Sequence, residues 1–171
     1  MQVYYPPNGV VPFHGFAMYA APLCYVYDDP CVLYFVFRAM YTRYFYQLHT
    51  LSSHPHGIVS LCLLFETLLQ THEPALFLHL KTIGVQPLRL AFKWLVRAFS
   101  GYLASEQVLL LWDRILAYDS VELLSVLAAA IFAFRKTNLL EVQTYNAAEA
   151  VLVDLLTLEV IPLIQLFLFA Q

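Results

Sequence analysis

The most apolar run of this chain, "LLSVLAAAIFAF" from Leu123 to Phe134, is only 12 residues long and is closed by Glu122 and Arg135. The C-terminal "VIPLIQLFLFAQ" is also 12 residues and is interrupted by Pro162 and Gln165. A helix that crosses a membrane needs about 20 consecutive apolar residues. That limit matters because hydrophobic residues make up 61% of the chain and charged residues 12%, against roughly 45–50% and 25% in ordinary globular proteins. Apolar runs this short in a chain this greasy are best buried against one another, as helices surrounded by helices. The competing reading is an integral membrane protein. The first 27 residues carry no charge, but Pro6, Pro7, Pro12 and Pro22, with Gly9 and Gly15, exclude a spanning helix there. They also lack the basic start of a secretory signal.

Breakers and caps divide the chain into helices. Residues 1–13 read as a loop with two proline clusters and an Asn8-Gly9 turn. Gly15 to Val26 is a short helix, bent or broken near Pro22. Asp29 as N-cap and Pro30 at the first helical position open an aromatic helix extending to about Gln47. The loop containing "SSHPHG" leads to a helix from about Ile58 to Gln70. Glu73-Pro74 starts a short helix that Gly84 ends, and Pro87 opens another with Leu88, Phe92, Leu95, Val96 and Phe99 along one side. In "QVLLLWDRIL", Gln107 to Leu116, the apolar residues Val108, Leu109, Leu111, Trp112, Ile115 and Leu116 span an arc of roughly 160°, with Ser105 placed to cap. Ser120 caps the segment from Val121 to about Lys136, which is apolar on nearly every side and suits the middle of a stack. "NAAE", Asn146 to Glu149, has capping-box logic. No run alternates like a strand, so the predicted fold class is all-α.

Several chemistries are poorly supported. A net charge of −3 without a Lys/Arg cluster gives no basis for nucleic-acid binding. Between Pro30 and Phe65 no acidic residue occurs, while Arg38, Arg43 and His49 do, which a solvated helix face explains. Cys24, Cys31 and Cys62 have no framework spacing and read as reduced thiols of the cytosol. His54, His56 and Cys62 match no common zinc spacing, so no metal site is expected. No G-x-S-x-G nucleophile elbow is present.

One ordered set of residues is more specific. Upstream lies Pro74-Ala75-Leu76-Phe77-Leu78-His79-Leu80, then "FKWLVRAFSGYLASEQVLLLWDRIL" with Trp94, Phe99-Ser100 and Trp112-Asp113, then an Ala-rich helix ending at Arg135. This order resembles the C-terminal part of the TBC domain, the helical module of Rab GTPase-activating proteins. On that resemblance residues 14–156 form the family-like helical region, 157–171 an apolar C-terminal helix, and the whole chain a single partial domain. Trp94, Phe99, Ser100, Trp112 and Asp113 are then structural members of the family pattern and none is catalytic. Both tryptophans are expected in the core, and Asp113 is expected to bond a helix end or loop.

The resemblance also implies a chemistry. GTP hydrolysis is accelerated when an arginine neutralises phosphoryl charge and a glutamine-like group orients the attacking water. The family supplies the first from "I-x-x-D-x-x-R" and the second from "Y-x-Q-G-M". No D-x-x-R occurs in this sequence. The second motif corresponds to Pro12-Phe13-His14-Gly15-Phe16, which makes His14 a degenerate glutamine position. A neutral imidazole offers one donor and one acceptor but not the paired ends of an amide. The implied function is therefore a Rab-directed GTPase activator, not itself a hydrolase, in an incomplete form lacking the arginine finger and needing no cofactor. The alternatives are a non-catalytic TBC-like scaffold for a trafficking partner, or a membrane-associated helical protein. The implied partner is a Rab-type GTPase, the implied place the cytoplasm, with peripheral endomembrane contact. A partial domain is also expected to self-associate through exposed apolar surface.

Overall fold

A computed structural model of the chain describes residues 15–49 and 57–169. The expected loop at 1–13, His14, His54 and His56 lie outside them. The described residues are helical and contain no strand. None of their helices is long and apolar enough to cross a membrane.

The chain enters through two 3-10 turns, Phe16–Tyr19 and Ala21–Tyr25, rather than one bent helix. Helix α1 spans Pro30–Arg43, and the Asp29 carboxylate accepts from the Cys31 N–H at 2.7 Å. That bond satisfies a donor with no partner inside the helix, as an N-cap should. The helix stops at Arg43, short of the expected Gln47, and a 3-10 turn, Phe45–Leu48, follows. Tertiary packing imposes the break. Phe45 stacks on Tyr19 with centroids 4.8 Å apart and meets Trp112 at 4.8 Å.

Helices α2 (Ile58–His72), α3 (Pro74–Thr82), α4 (Pro87–Val96), α5 (Ser105–Tyr118) and α6 (Leu123–Phe134) follow in order. Then come α7 (Lys136–Glu141), α8 (Tyr145–Val151) and α9 (Val160–Phe169). Helix α6 sits in the middle, packed on α2, α4, α5 and α9. Eight of its residues, from Leu124 to Phe132, are buried. Phe65 of α2 and Trp94 of α4 meet Phe132 edge-on at 5.4 and 6.0 Å. Its buried Ser125 hydroxyl donates to the Leu61 carbonyl at 2.8 Å, so no polar atom is stranded there. Gln107 of α5 accepts the Val160 N–H at 2.9 Å and thereby caps α9.

Four local expectations are corrected. The buried side of α4 is Leu90, Ala91, Trp94 and Leu95, while Phe92 is 46% exposed, because α2, α3 and α6 cover the Trp94 side. Ser105 lies inside the first turn of α5, where Ala104 is the N-cap without a side-chain bond. Leu116 is 48% exposed, so the buried arc of α5 is narrower than its apolar arc. Helix α8 is capped by Thr144, which accepts the Ala147 N–H at 3.2 Å, rather than by Asn146. In each case a neighbouring helix or the extended backbone of the entering chain selected among several residues of suitable chemistry.

Candidate functional site

Helix α4 ends in a turn that gathers most of the candidate residues. The Phe99 N–H bonds the Trp94 carbonyl at 2.9 Å and the Ala98 N–H bonds the Leu95 carbonyl at 3.1 Å. This is the paired closure of a Schellman motif, in which the residue after the C-cap is left-handed and the next one packs back on the last turn. Ala98 and Phe99 have φ of 46° and 62°. The Phe99 ring stacks on Trp94 with centroids 5.9 Å apart. The five-residue spacing from Trp94 to Phe99 is thus the apolar contact of a helix stop. Left-handed conformations cost non-glycine residues about 1–2 kcal/mol each, so the turn has to be held from outside.

Three bonds hold it. The Trp112 indole Nε1 donates to the Ala98 carbonyl at 3.0 Å. The Ser100 hydroxyl donates to the Met18 carbonyl at 2.5 Å. The Tyr19 hydroxyl donates to the Val96 carbonyl. Burial, then the neighbouring Tyr41, pushes the Tyr19 phenol far above its ordinary range, so it remains a donor at all physiological pH. Trp94, Phe99, Ser100 and Trp112 are all buried. They share one knot, and the knot clasps the 3-10 turn that follows position 14.

Two glycines allow the close approach. Gly15, at φ 93°, lies against the Arg97 guanidinium: a Cβ there would stand 3.3 Å from Nη2 and 3.4 Å from Cζ and Nε. Gly101, at φ 82°, faces the Met18 sulfur, where a Cβ would stand at 3.4 Å. The other side of Arg97 lies over the Tyr102 ring, 5.6 Å from its centroid. Phe16 is packed edge-on against Phe37 and Tyr41, at 6.0 and 5.2 Å. Behind it, Tyr41 Oη and His49 Nε2 share a 3.0 Å hydrogen bond, and burial lowers the His49 pKa. Gly15 and Phe16, the described members of the Pro12–Phe16 segment, are therefore seated on a rigid aromatic base beside one arginine.

Asp113 stands apart. Its side chain is 65% exposed and pairs with the adjacent Arg114 at 2.7 Å. The carboxylate that bonds a helix end is Asp119, six residues on. It occupies the left-handed position that closes α5, with φ 52°. There it accepts from Arg43 Nε at 3.0 Å and Nη2 at 2.7 Å, and from the Tyr44 hydroxyl at 2.8 Å. The hydrogen bonds from Arg43, then from Tyr44, hold its carboxyl below the usual range. Sequence reasoning passed over Asp119, although Asp is among the few residues that tolerate a left-handed C-terminal position. It also passed over Arg97 and Tyr19, whose roles exist only once the entering turn and the end of α4 meet. His79 bonds the Val142 carbonyl at 3.0 Å and joins α3 to the end of α7. Among the described residues no group of three His, Cys, Asp or Glu is placed to hold a metal.

The Rab-GTPase-TBC domain model matches residues 11–140, a stretch that ends within α7. The chain belongs to the Rab-GTPase-TBC domain family. It is similar to human TBC1 domain family member 19, with 69% identity over 168 residues covering 98% of this chain and 32% of that protein. The chain thus spans about a third of that curated relative. No solved structure gives a significant match. Within this TBC-family chain, the ordered tryptophans and the Phe-Ser pair are the knot just described. They hold the turn at the end of α4 against the glycine turn.

Proposed function

We propose that this chain is a Rab-binding part of a GTPase-activating module and that alone it accelerates GTP hydrolysis little or not at all. Membership of the TBC family supports the partner class. The weak activity follows from two side chains. The 171 residues contain no D-x-x-R, so they offer a partner no arginine in that setting. His14 occupies the glutamine-like position, where one imidazole replaces a planar amide with adjacent donor and acceptor. An arginine supplied in trans is worth about 10³–10⁵ in kcat, so its loss outweighs any water held by His14.

The observation that carries this reading is the clasp on the entering turn: Ser100 bonds the Met18 carbonyl, Tyr19 bonds the Val96 carbonyl, and Gly15 lies against Arg97. A segment that meets a partner must be presented in one conformation, and that clasp supplies it. The test pairs binding with turnover over a panel of Rab GTPases. The expected result is measurable binding of at least one GTP-analogue-loaded Rab with no more than a few-fold acceleration, far below the ~10³ of a complete site. Strong acceleration overturns the catalytic half of the proposal, and failure to bind any Rab overturns the partner half. The scaffold reading is favoured over the activator where binding occurs and turnover does not change. Peripheral contact with endomembranes belongs to the same proposal, through the exposed apolar side chains Leu166 and Phe169 of α9.

A further inference from the structure

We propose that the cleft between α2, α6 and α9 binds an amphiphilic organic cation, an aliphatic chain ending in an ammonium group, and that Glu73 takes the charged end. The inference does not depend on the partner class proposed above.

The cleft has a volume of about 330 Å³, within the range of roughly 300–1,000 Å³ usual for small-molecule sites. Most of its lining is apolar: Ala130, Ala133 and Phe134 from the end of α6, and Leu163, Leu166 and Phe167 from α9. Its polar lining is His72 and Glu73, where α2 passes into α3. Among the described residues no Lys or Arg lines it. Three observations set the charge of the ligand. The Glu73 side chain is only 16% exposed, and its one partner among the described residues is the Lys136 ammonium, 2.6 Å from Oε2. A carboxylate has about four acceptor positions, and one withdrawn from water gains when those still open are filled. The Phe134 and Phe167 rings line the same cleft, and aromatic rings attract cations through their faces. Phe134 already carries one, the Arg135 guanidinium 5.4 Å from its centroid. Finally, α2 ends at His72 and α6 at Phe134, so two helix C-termini, each bearing partial negative charge, meet at the cleft. The alanines and leucines of the lining give an alkyl chain apolar surface to bury against. A polyamine has no apolar stretch to use that surface, and an alcohol leaves the carboxylate without a counter-charge.

The experiment titrates the full chain with octylamine, octanol and octanoate at pH 8, where an alkylamine with a pKa of about 10.4 is charged. Calorimetry gives the affinities, and NMR shifts of the Ala130 and Ala133 methyl groups locate the ligand. Octylamine should shift both methyls and bind ~10-fold more tightly than octanol or octanoate, the difference expected of one charged hydrogen bond. Glu73→Gln should lower the octylamine affinity ~10-fold and leave octanol unchanged. Ala133→Leu, a substitution at a half-buried position, should fill the cleft and weaken octylamine and octanol alike. Asp113→Asn, on a different helix, should match wild type. Circular dichroism and thermal melting confirm that each variant folds; should Glu73→Gln fail to do so, the three ligands and Ala133→Leu decide the matter. Equal affinities for octylamine and octanol would make the cleft a mere apolar crevice and overturn the proposal. Tighter binding of octanoate reverses the sign of the charge and overturns it as well. So does undiminished octylamine binding by folded Glu73→Gln, or no binding of octylamine by the wild type.

Discussion

The Ser100 hydroxyl donates to the Met18 carbonyl across 82 residues of sequence, at 2.5 Å. It joins the end of α4 to the turn that enters the fold, and the serine is buried, as is Ser125 of α6. Removal of the Ser100 hydroxyl takes a part-buried donor from the Met18 carbonyl. Ser100→Ala is therefore expected to cost about 1–3 kcal/mol in urea denaturation. Amide exchange should rise more at residues 15–26 than in α6, because the bond holds the turn rather than the core. Uniform exchange changes across the chain would count against that local role.

The neighbours Trp112 and Asp113 should separate sharply. Trp112→Phe removes the donor to the Ala98 carbonyl and leaves a cavity beside Phe45, with an expected loss of about 2–4 kcal/mol. Asp113→Asn changes an exposed local pair and should stay within about 0.5 kcal/mol of wild type. Denaturation midpoints compare the two directly. Equal effects would show that the pair acts as a unit.

Asp119 should titrate below an ordinary carboxylate, and Arg43→Ala should move its titration up toward about 3.9. The folded carboxyl has the lower pKa, so the Arg43–Asp119 contact adds stability above the unfolded value and loses it as pH falls through the folded one. Arg43 stays charged throughout, since the same contact raises its pKa. The side chains are 64% and 57% exposed, so the effect should be small and reduced by salt. Side-chain NMR of Asp119 against pH checks it; a titration unmoved by Arg43→Ala contradicts it.

Cysteine labelling should follow burial. Cys24 and Cys31 are exposed, whereas burial, then the charge of Glu66, pushes the Cys62 thiol up to about 11. The thiolate is the reactive form. Iodoacetamide at pH 8 should modify Cys24 and Cys31 well before Cys62, read by peptide mass spectrometry. Comparable rates at all three would show that α2 opens more readily than its packing implies.

Sedimentation tests the expected self-association. Tyr25, Val26 and Phe35 are 76%, 54% and 62% exposed on neighbouring segments, an arrangement that favours partner contact. Concentration-dependent association at micromolar levels is expected, and Phe35→Asp should weaken it. A single monomer boundary at those concentrations rejects it.

The sequence alone determined the all-α class, most helix starts and the family, because these depend on local chemistry. Asp29-Pro30, Glu73-Pro74, Gly84 and Pro87 set backbone angles and satisfy helix ends within a few residues, and apolar runs too short for a bilayer can be buried by helix packing. Tertiary structure decided the rest. It stopped α1 at Arg43 by drawing Phe45 onto Tyr19 and Trp112, turned Trp94 rather than Phe92 inward, and chose Asp119 over Asp113 as the bonding carboxylate. It alone placed Arg97 against Gly15. Periodicity states which side chains are apolar, but several faces of one helix satisfy it, and only the neighbours' shapes and unpaired polar groups select among them.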